Sequence, residues 1–146
     1  MSITTHDVYF CCIECERQRN VKPTGVYQML LGLIYAKTKA NEADFVFTED
    51  FIKTIAGIVA PITKAEYRTI PVIFDNGQKG INSRLITDQM QKLVANHTNM
   101  DPIEFYKNFE LIHPFVDGNG RVGSILYNLM RDTLNLPQLP PQIKWD

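Results

Sequence analysis

Nine consecutive residues, His113-Pro-Phe-Val-Asp-Gly-Asn-Gly-Arg121, bring together four kinds of chemically capable group. His113 titrates near neutral pH and is suited to take a proton. Asp117 offers a carboxylate of the kind that holds Mg²⁺ jointly with phosphate oxygens. Gly118, Asn119 and Gly120 stand just before a helical pattern. Their backbone amides can converge on the positive end of the helix dipole unhindered by Cβ atoms, an anion nest suited to phosphate. Arg121 falls in the first turn of that helix, where a cation opposes the dipole, and its placement there points to a bound anion. Taken singly, each residue has a plain structural reading. A histidine before proline caps a helix end, Asp-Gly and Asn-Gly are ordinary turn dipeptides, and an arginine is a surface charge. Phe115 reads as a core anchor for the loop. The argument for chemistry rests on base, metal ligand, amide nest and cation falling in one short segment.

Such a loop needs rigid elements on both sides. Upstream, Asp101-Pro-Ile-Glu104 opens a helix with Asp101 as N-cap, Pro102 at N1 and Glu104 at N3, and Phe105, Phe109 and Ile112 form its buried face. Downstream, Val122, Ile125, Leu126, Leu129 and Met130 predict a helix over about 120–134, before Pro137 and the Pro140-Pro141 pair. Farther upstream, Val26, Leu30, Leu33 and Ile34 recur at helical steps over 24–36, with Met29 and Leu31 widening the stripe to that of a core helix. Thr48 caps the next helix, stapled by Phe47 and Ile52 and stopped by Pro61 after Val59. Ser83 caps a further one carrying Leu85, Ile86, Met90, Leu93 and Val94 and ending near His97. Between these two helices, Glu66-Tyr-Arg-Thr-Ile-Pro-Val-Ile-Phe74 is rich in β-branched and aromatic residues and meets Asp75-Asn-Gly77, a strong hairpin signal. Pro71 lacks a donor, so that strand belongs at an edge with one side free to accept another chain. The fold class is mainly α: a compact helical bundle with one short β-hairpin.

At 146 residues the chain has the size of one domain, and its 45% hydrophobic and 21% charged residues are those of an ordinary globular protein. A formal charge of -1 supplies no general field for nucleic acid or anionic lipid, so phosphate must be held by a local site. No apolar stretch approaches the roughly 20 residues of a membrane span. The N-terminus lacks a secretory pattern, and the expected location is cytoplasmic, with reduced thiols. Cys11, Cys12 and Cys15 have no second ligand pair in the sequence and read as small buried hydrophobes rather than a zinc site.

The segment 113–121 resembles the Fic (Fido) signature HxFx(D/E)GNGRxxR at every fixed position except the last. The flanks Leu111-Ile112, Leu126-Tyr-Asn-Leu129 and Leu136-Pro137 are similar to that family's core, and residues 66–73 look like its flap. The resemblance spans 24–137 and leaves the cysteine-bearing N-terminus outside. It implies a nucleotidyltransferase that moves AMP from ATP, with Mg²⁺, onto a Ser, Thr or Tyr hydroxyl of a target protein. By the same resemblance His113 deprotonates that hydroxyl, Asp117 binds Mg²⁺, Gly118, Asn119 and Gly120 form the anion hole, and Arg121 binds nucleotide phosphates. The flap, through Tyr67, Arg68, Thr69, Ile70 and Val72, clamps the target by strand addition, in keeping with the edge strand inferred from Pro71.

Where the family's second arginine belongs, this chain has Ser124, which brings no charge to the outer phosphates, and the expected AMP transfer is weakened accordingly. Arg131 lies two turns on, at an angle that argues against its substituting. Thr38-Lys-Ala-Asn-Glu42 has the spacing of the family's inhibitory motif (S/T)xxxE(G/N), but Ala43 replaces its last residue and we read it as coincidence. Two alternatives accompany the leading reading. One is transfer of another phosphate-containing group, such as phosphocholine from CDP-choline. The other is a nucleotide-binding module acting through a regulatory partner.

Overall fold

The computed structural model describes residues 3–20 and 22–143. Six α-helices follow one another: α1 (Thr5–Arg17), α2 (Pro23–Ala40), α3 (Glu49–Val59), α4 (Ile86–Ala95), α5 (Pro102–Ile112) and α6 (Asn119–Arg131). None is long and apolar enough to cross a membrane. Helix α6 is the centre of the assembly, packing against α1, α2, α3 and α5, and every residue from Asn119 to Asn128 is buried. Phe10, Met29, Leu33, Ile52, Ile55, Met90, Phe105, Phe109, Ile125 and Leu126 meet in one apolar core drawn from all six helices. Burying side chains of this size contributes about 1.5–3 kcal/mol each, which is what fixes the helices around α6.

The helix starts follow the sequence closely where a cap and a staple coincide. Thr48 Oγ1 accepts from Phe51 N–H at 3.1 Å, and Asp101 Oδ1 accepts from Glu104 N–H at 2.8 Å. Other boundaries move. Asn82, not Ser83, supplies the capping oxygen before α4, accepting from Arg84 N–H at 3.0 Å, and a 3₁₀ turn over Ser83–Leu85 precedes the helix proper. Helix α6 stops at Arg131 rather than near 134, because Asp132 takes a left-handed conformation with φ 60°. Helix α1 has no counterpart among the sequence expectations, although Thr4 and Asp7 form a capping box that opens it. On this helix Cys11 and Cys15 are buried as expected, while Cys12 is exposed.

The expected hairpin is present in minimal form, with Phe74 N–H donating to Gln78 O at 2.8 Å and Gly80 N–H to Val72 O at 2.9 Å. Gly77, at φ 84°, donates to Phe74 O at 2.8 Å, and one antiparallel bridge joins Ile73 to Lys79. No strand forms among the described residues. Arg68 draws residues 68–70 inward toward the end of α5, donating to the carbonyls of His113 and Ile70.

Helix α1 is fastened to α2 by an ion pair out of contact with water: Lys37 Nζ lies 2.8 Å from Asp7 Oδ2, with side chains 4% and 2% exposed. Removing one partner strands the other charge in the core. Lys37→Met should therefore cost about 3–5 kcal/mol in urea unfolding, and a loss under 1 kcal/mol would show that Asp7 finds another partner or water.

Candidate active site

The loop between α5 and α6 is a rigid object. Asn119 Oδ1 accepts from Phe115 N–H at 2.8 Å and Asn119 Nδ2 donates to Phe115 O at 2.7 Å, so one side chain pairs with both backbone groups of one residue. Phe115 itself is fully buried. Gly118 turns the chain into α6 with φ 79°, and a Cβ there would lie 2.9 Å from that of Ala60, so this position takes glycine on both counts. Asn119 thus enters the site through its main chain only, its carboxamide being spent on the loop.

His113 closes α5 in a left-handed conformation, φ 50°. Its Nδ1 is buried without a well-formed hydrogen bond, which leaves Nε2 as the nitrogen with access to the cavity that His113 lines. Burial, and then the nearby Arg68 guanidinium, pull the imidazole down to about 4, with the Glu110 carbonyl one turn back tempering the shift. The ring is therefore neutral, and able to accept a proton, across the physiological range. The edge of Phe74 meets it at a centroid distance of 5.0 Å.

Asp117 is the exposed member, its side chain 59% accessible. Its Oδ1 accepts from Gly118 N–H at 2.8 Å and faces Arg121 Nη2 at 3.4 Å, while Oδ2 takes no hydrogen bond among the described residues. A single free carboxylate oxygen beside an amide nest suits Mg²⁺ bound mainly by phosphate and water, since no group of three acidic, histidine or cysteine side chains gathers among the described residues. Arg121 is buried, with Nη1 donating to Val59 O at 3.2 Å. The structure thus brings His113, Asp117, Gly118, Asn119, Gly120 and Arg121 to the wall of one cavity of about 560 Å³, a size ordinary for small-ligand sites.

Part of that wall was not foreseen. Gln18, Arg19, Asn20 and Lys22, from the end of α1 and the start of α2, line the same cavity, as do Thr24, Gly25 and Gln28. The Gln18 carboxamide, held by Glu14 Oε1 at 2.9 Å, sits so close to Gly120 that any side chain at position 120 would run into it. Arg131 plays no part here, since it donates to Tyr127 Oη at 2.9 Å near the far end of α6. Ser124 is fully buried with an unpartnered Oγ.

The flap residues divide by orientation. Arg68 is buried and donates to four carbonyls: His113 at 2.8 Å, Ile70 at 2.9 Å, Ile81 at 2.8 Å and Ile112 at 3.4 Å. It ties residues 68–81 to the end of α5, with Nε and both Nη atoms engaged. Tyr67 is likewise turned inward, donating to Glu49 Oε1 at 2.6 Å beneath the Lys53 ammonium. Thr69 and Ile70 are exposed and Val72 half-buried.

The family model for Fic/DOC proteins matches residues 46–130, more than half of the chain, and the protein belongs to the Fic/DOC family. A Fic-domain-containing signalling protein from Bacteroides thetaiotaomicron superposes with a TM-score of 0.63 at 23% identity, over 73% of this chain and 47% of its own. A fragment of Fic-1 from C. elegans gives 0.60 at 22%, over 82% and 40%. A Fic family protein from Desulfovibrio desulfuricans G20 gives 0.60 at 20%, over 90% and 43%. These likenesses show the fold, and the chain spans less than half the length of each. No curated protein matches the sequence.

One turn before His113, Glu110 Oε1 is buried without a partner against position 123 of α6. Burial first, and then the Glu14 charge, push its carboxyl up to about 8. A raised native value stabilises the fold fully below the ordinary carboxylate range near 4.5, and that contribution is lost as pH climbs toward 8. Urea midpoints measured from pH 6.5 to 8, above the range where the lowered His113 opposes the trend, should fall with pH in the wild type and fall less in Glu110→Gln. Parallel curves would mean that Glu110 ionises freely in the native state.

Proposed function

We propose that this chain is a Fic-type transferase that moves AMP from ATP, with Mg²⁺, to a Ser, Thr or Tyr hydroxyl of a target protein. The observation that carries the reading is the meeting of a neutral, partly buried imidazole, a free carboxylate oxygen, the N-terminus of α6 and Arg121 on one cavity. His113 Nε2 accepts the hydroxyl proton as the oxygen forms its bond to the α-phosphorus. The bond from that phosphorus to the bridging oxygen breaks, and pyrophosphate leaves. The Asn119 and Gly120 amides at the start of α6 and the Arg121 guanidinium stabilise the charge gathering on the phosphoryl oxygens, the Gly118 N–H being held by Asp117 Oδ1. Bound through Asp117 Oδ2, Mg²⁺ would neutralise phosphate charge and orient the leaving group. Thr69, Ile70 and the edge at Pro71 offer the target a strand to pair with. The uncharged Ser124, at the place of the signature's second arginine, favours a second reading, transfer of phosphocholine from a donor with one phosphate fewer.

The base can be removed without straining the backbone, because asparagine tolerates the left-handed conformation at 113. His113→Asn should lower transfer at least about 10²-fold while nucleotide affinity stays within about twofold. In the wild type, transfer should hold its rate down to pH 5 and fall only as the imidazole protonates near 4. Wild-type rates in the variant, or an acid limb near the ordinary 6.5, would overturn the assignment.

Asp117→Asn keeps an acceptor for Gly118 N–H and deletes the charge. It should weaken nucleotide binding in Mg²⁺ and change it little in EDTA. Equal loss in both would make Asp117 a turn residue only.

A further inference from the structure

The cavity holds more positive charge than the 113–121 loop supplies. Arg19 and Lys22 line it from the α1–α2 connection, beyond the stretch that the family model matches. Neither side chain makes an ion pair or hydrogen bond among the described residues, in contrast to Arg121, which is committed to Val59 O and Asp117. Both occupy positions where another residue type would serve the fold better. Arg19 follows the C-cap of α1 at φ 57°, the left-handed place that glycine fills most cheaply. Lys22 is the N-cap of α2, where it provides no capping bond and sets a cation against the positive end of the helix. Two uncompensated cations, each at a local cost to the backbone, face a cavity that already contains an amide nest.

Their place relative to the nest is set by Gln18, whose carboxamide abuts Gly120 while Arg19 is the next residue. An anion that fills the nest with one phosphate therefore has Arg19 and Lys22 available to the phosphates beyond it. We propose that Arg19 and Lys22 form the subsite for the outer phosphates of a nucleoside triphosphate, supplying from the α1–α2 connection the charge that position 124 lacks. The inference rests on the nucleotide reading of the cavity and deepens it, since it selects a triphosphate over a diphosphate donor.

Titration calorimetry of the full chain with Mg·ATP, Mg·ADP and AMP tests it. The wild type should bind in the order ATP, ADP, AMP. Arg19→Gln with Lys22→Gln should weaken ATP at least about tenfold and AMP less than about twofold, and Arg19→Lys should retain most of the ATP affinity. Lys22→Ser separates binding from folding, because serine gives α2 the cap it lacks. Its Tm should rise by about 2 °C while ATP affinity falls. Equal affinities for the three nucleotides in the wild type, or equal losses for all three in the double variant, would overturn the subsite and leave the AMP-transfer reading standing. If the wild type binds none of them, both fail.

Discussion

The site depends on the pair of hydrogen bonds by which Asn119 grips the backbone of Phe115. A loop that carries an imidazole, a carboxylate, two free amides and a guanidinium has too few residues to hold itself by packing alone. The Asn119 side chain imitates a strand partner, satisfying an N–H and a C=O that the buried Phe115 ring has taken away from water. With that grip closed, Gly118 can turn sharply into α6 and His113 is fixed four backbone steps from Asp117. Aspartate in place of Asn119 would offer the acceptor but no donor, and the carbonyl of Phe115 would be left buried and unpaired.

Environment then differentiates groups that the sequence alone leaves alike. His113 and Glu110 lie one helical turn apart, and burial acts on both, yet with opposite outcomes. It disfavours the imidazolium and the carboxylate equally, so the histidine becomes a base that stays unprotonated and the glutamate an acid that stays protonated. Both are neutral at pH 7, which keeps the end of α5 free of net charge beside the cations of the cavity.

The 113–121 loop was legible in the sequence because it is contiguous: its chemistry and its turn residues sit side by side, and the caps at Thr48 and Asp101 announce themselves within four residues. The wall opposite was not legible. Gln18, Arg19 and Lys22 reach the cavity only because α1 packs on α6, a juxtaposition across about a hundred residues that no local pattern records. The capping box of Thr4 and Asp7 was the available signal for α1, with aspartate in the position where glutamate or glutamine is usual. The inward turn of the Arg68 and Tyr67 side chains was not legible for a related reason. A run rich in β-branched and aromatic residues shows that a segment is extended, whereas which side chains point inward is decided by carbonyls left over at the end of α5 and by Glu49 on α3.

The Arg68 guanidinium joins carbonyls from the flap to the carbonyl of the residue that bears the imidazole. Rotational freedom between this segment and the imidazole is thereby removed when the chain folds, and on the proposed reading that is before any target hydroxyl arrives. For the proposed transferase, docking a target backbone there would leave little further entropy to be lost in bringing its hydroxyl to the ring. The same rigidity makes register decisive. A target segment paired there one residue out of step would present its alternate face, its hydroxyl pointing away from the imidazole.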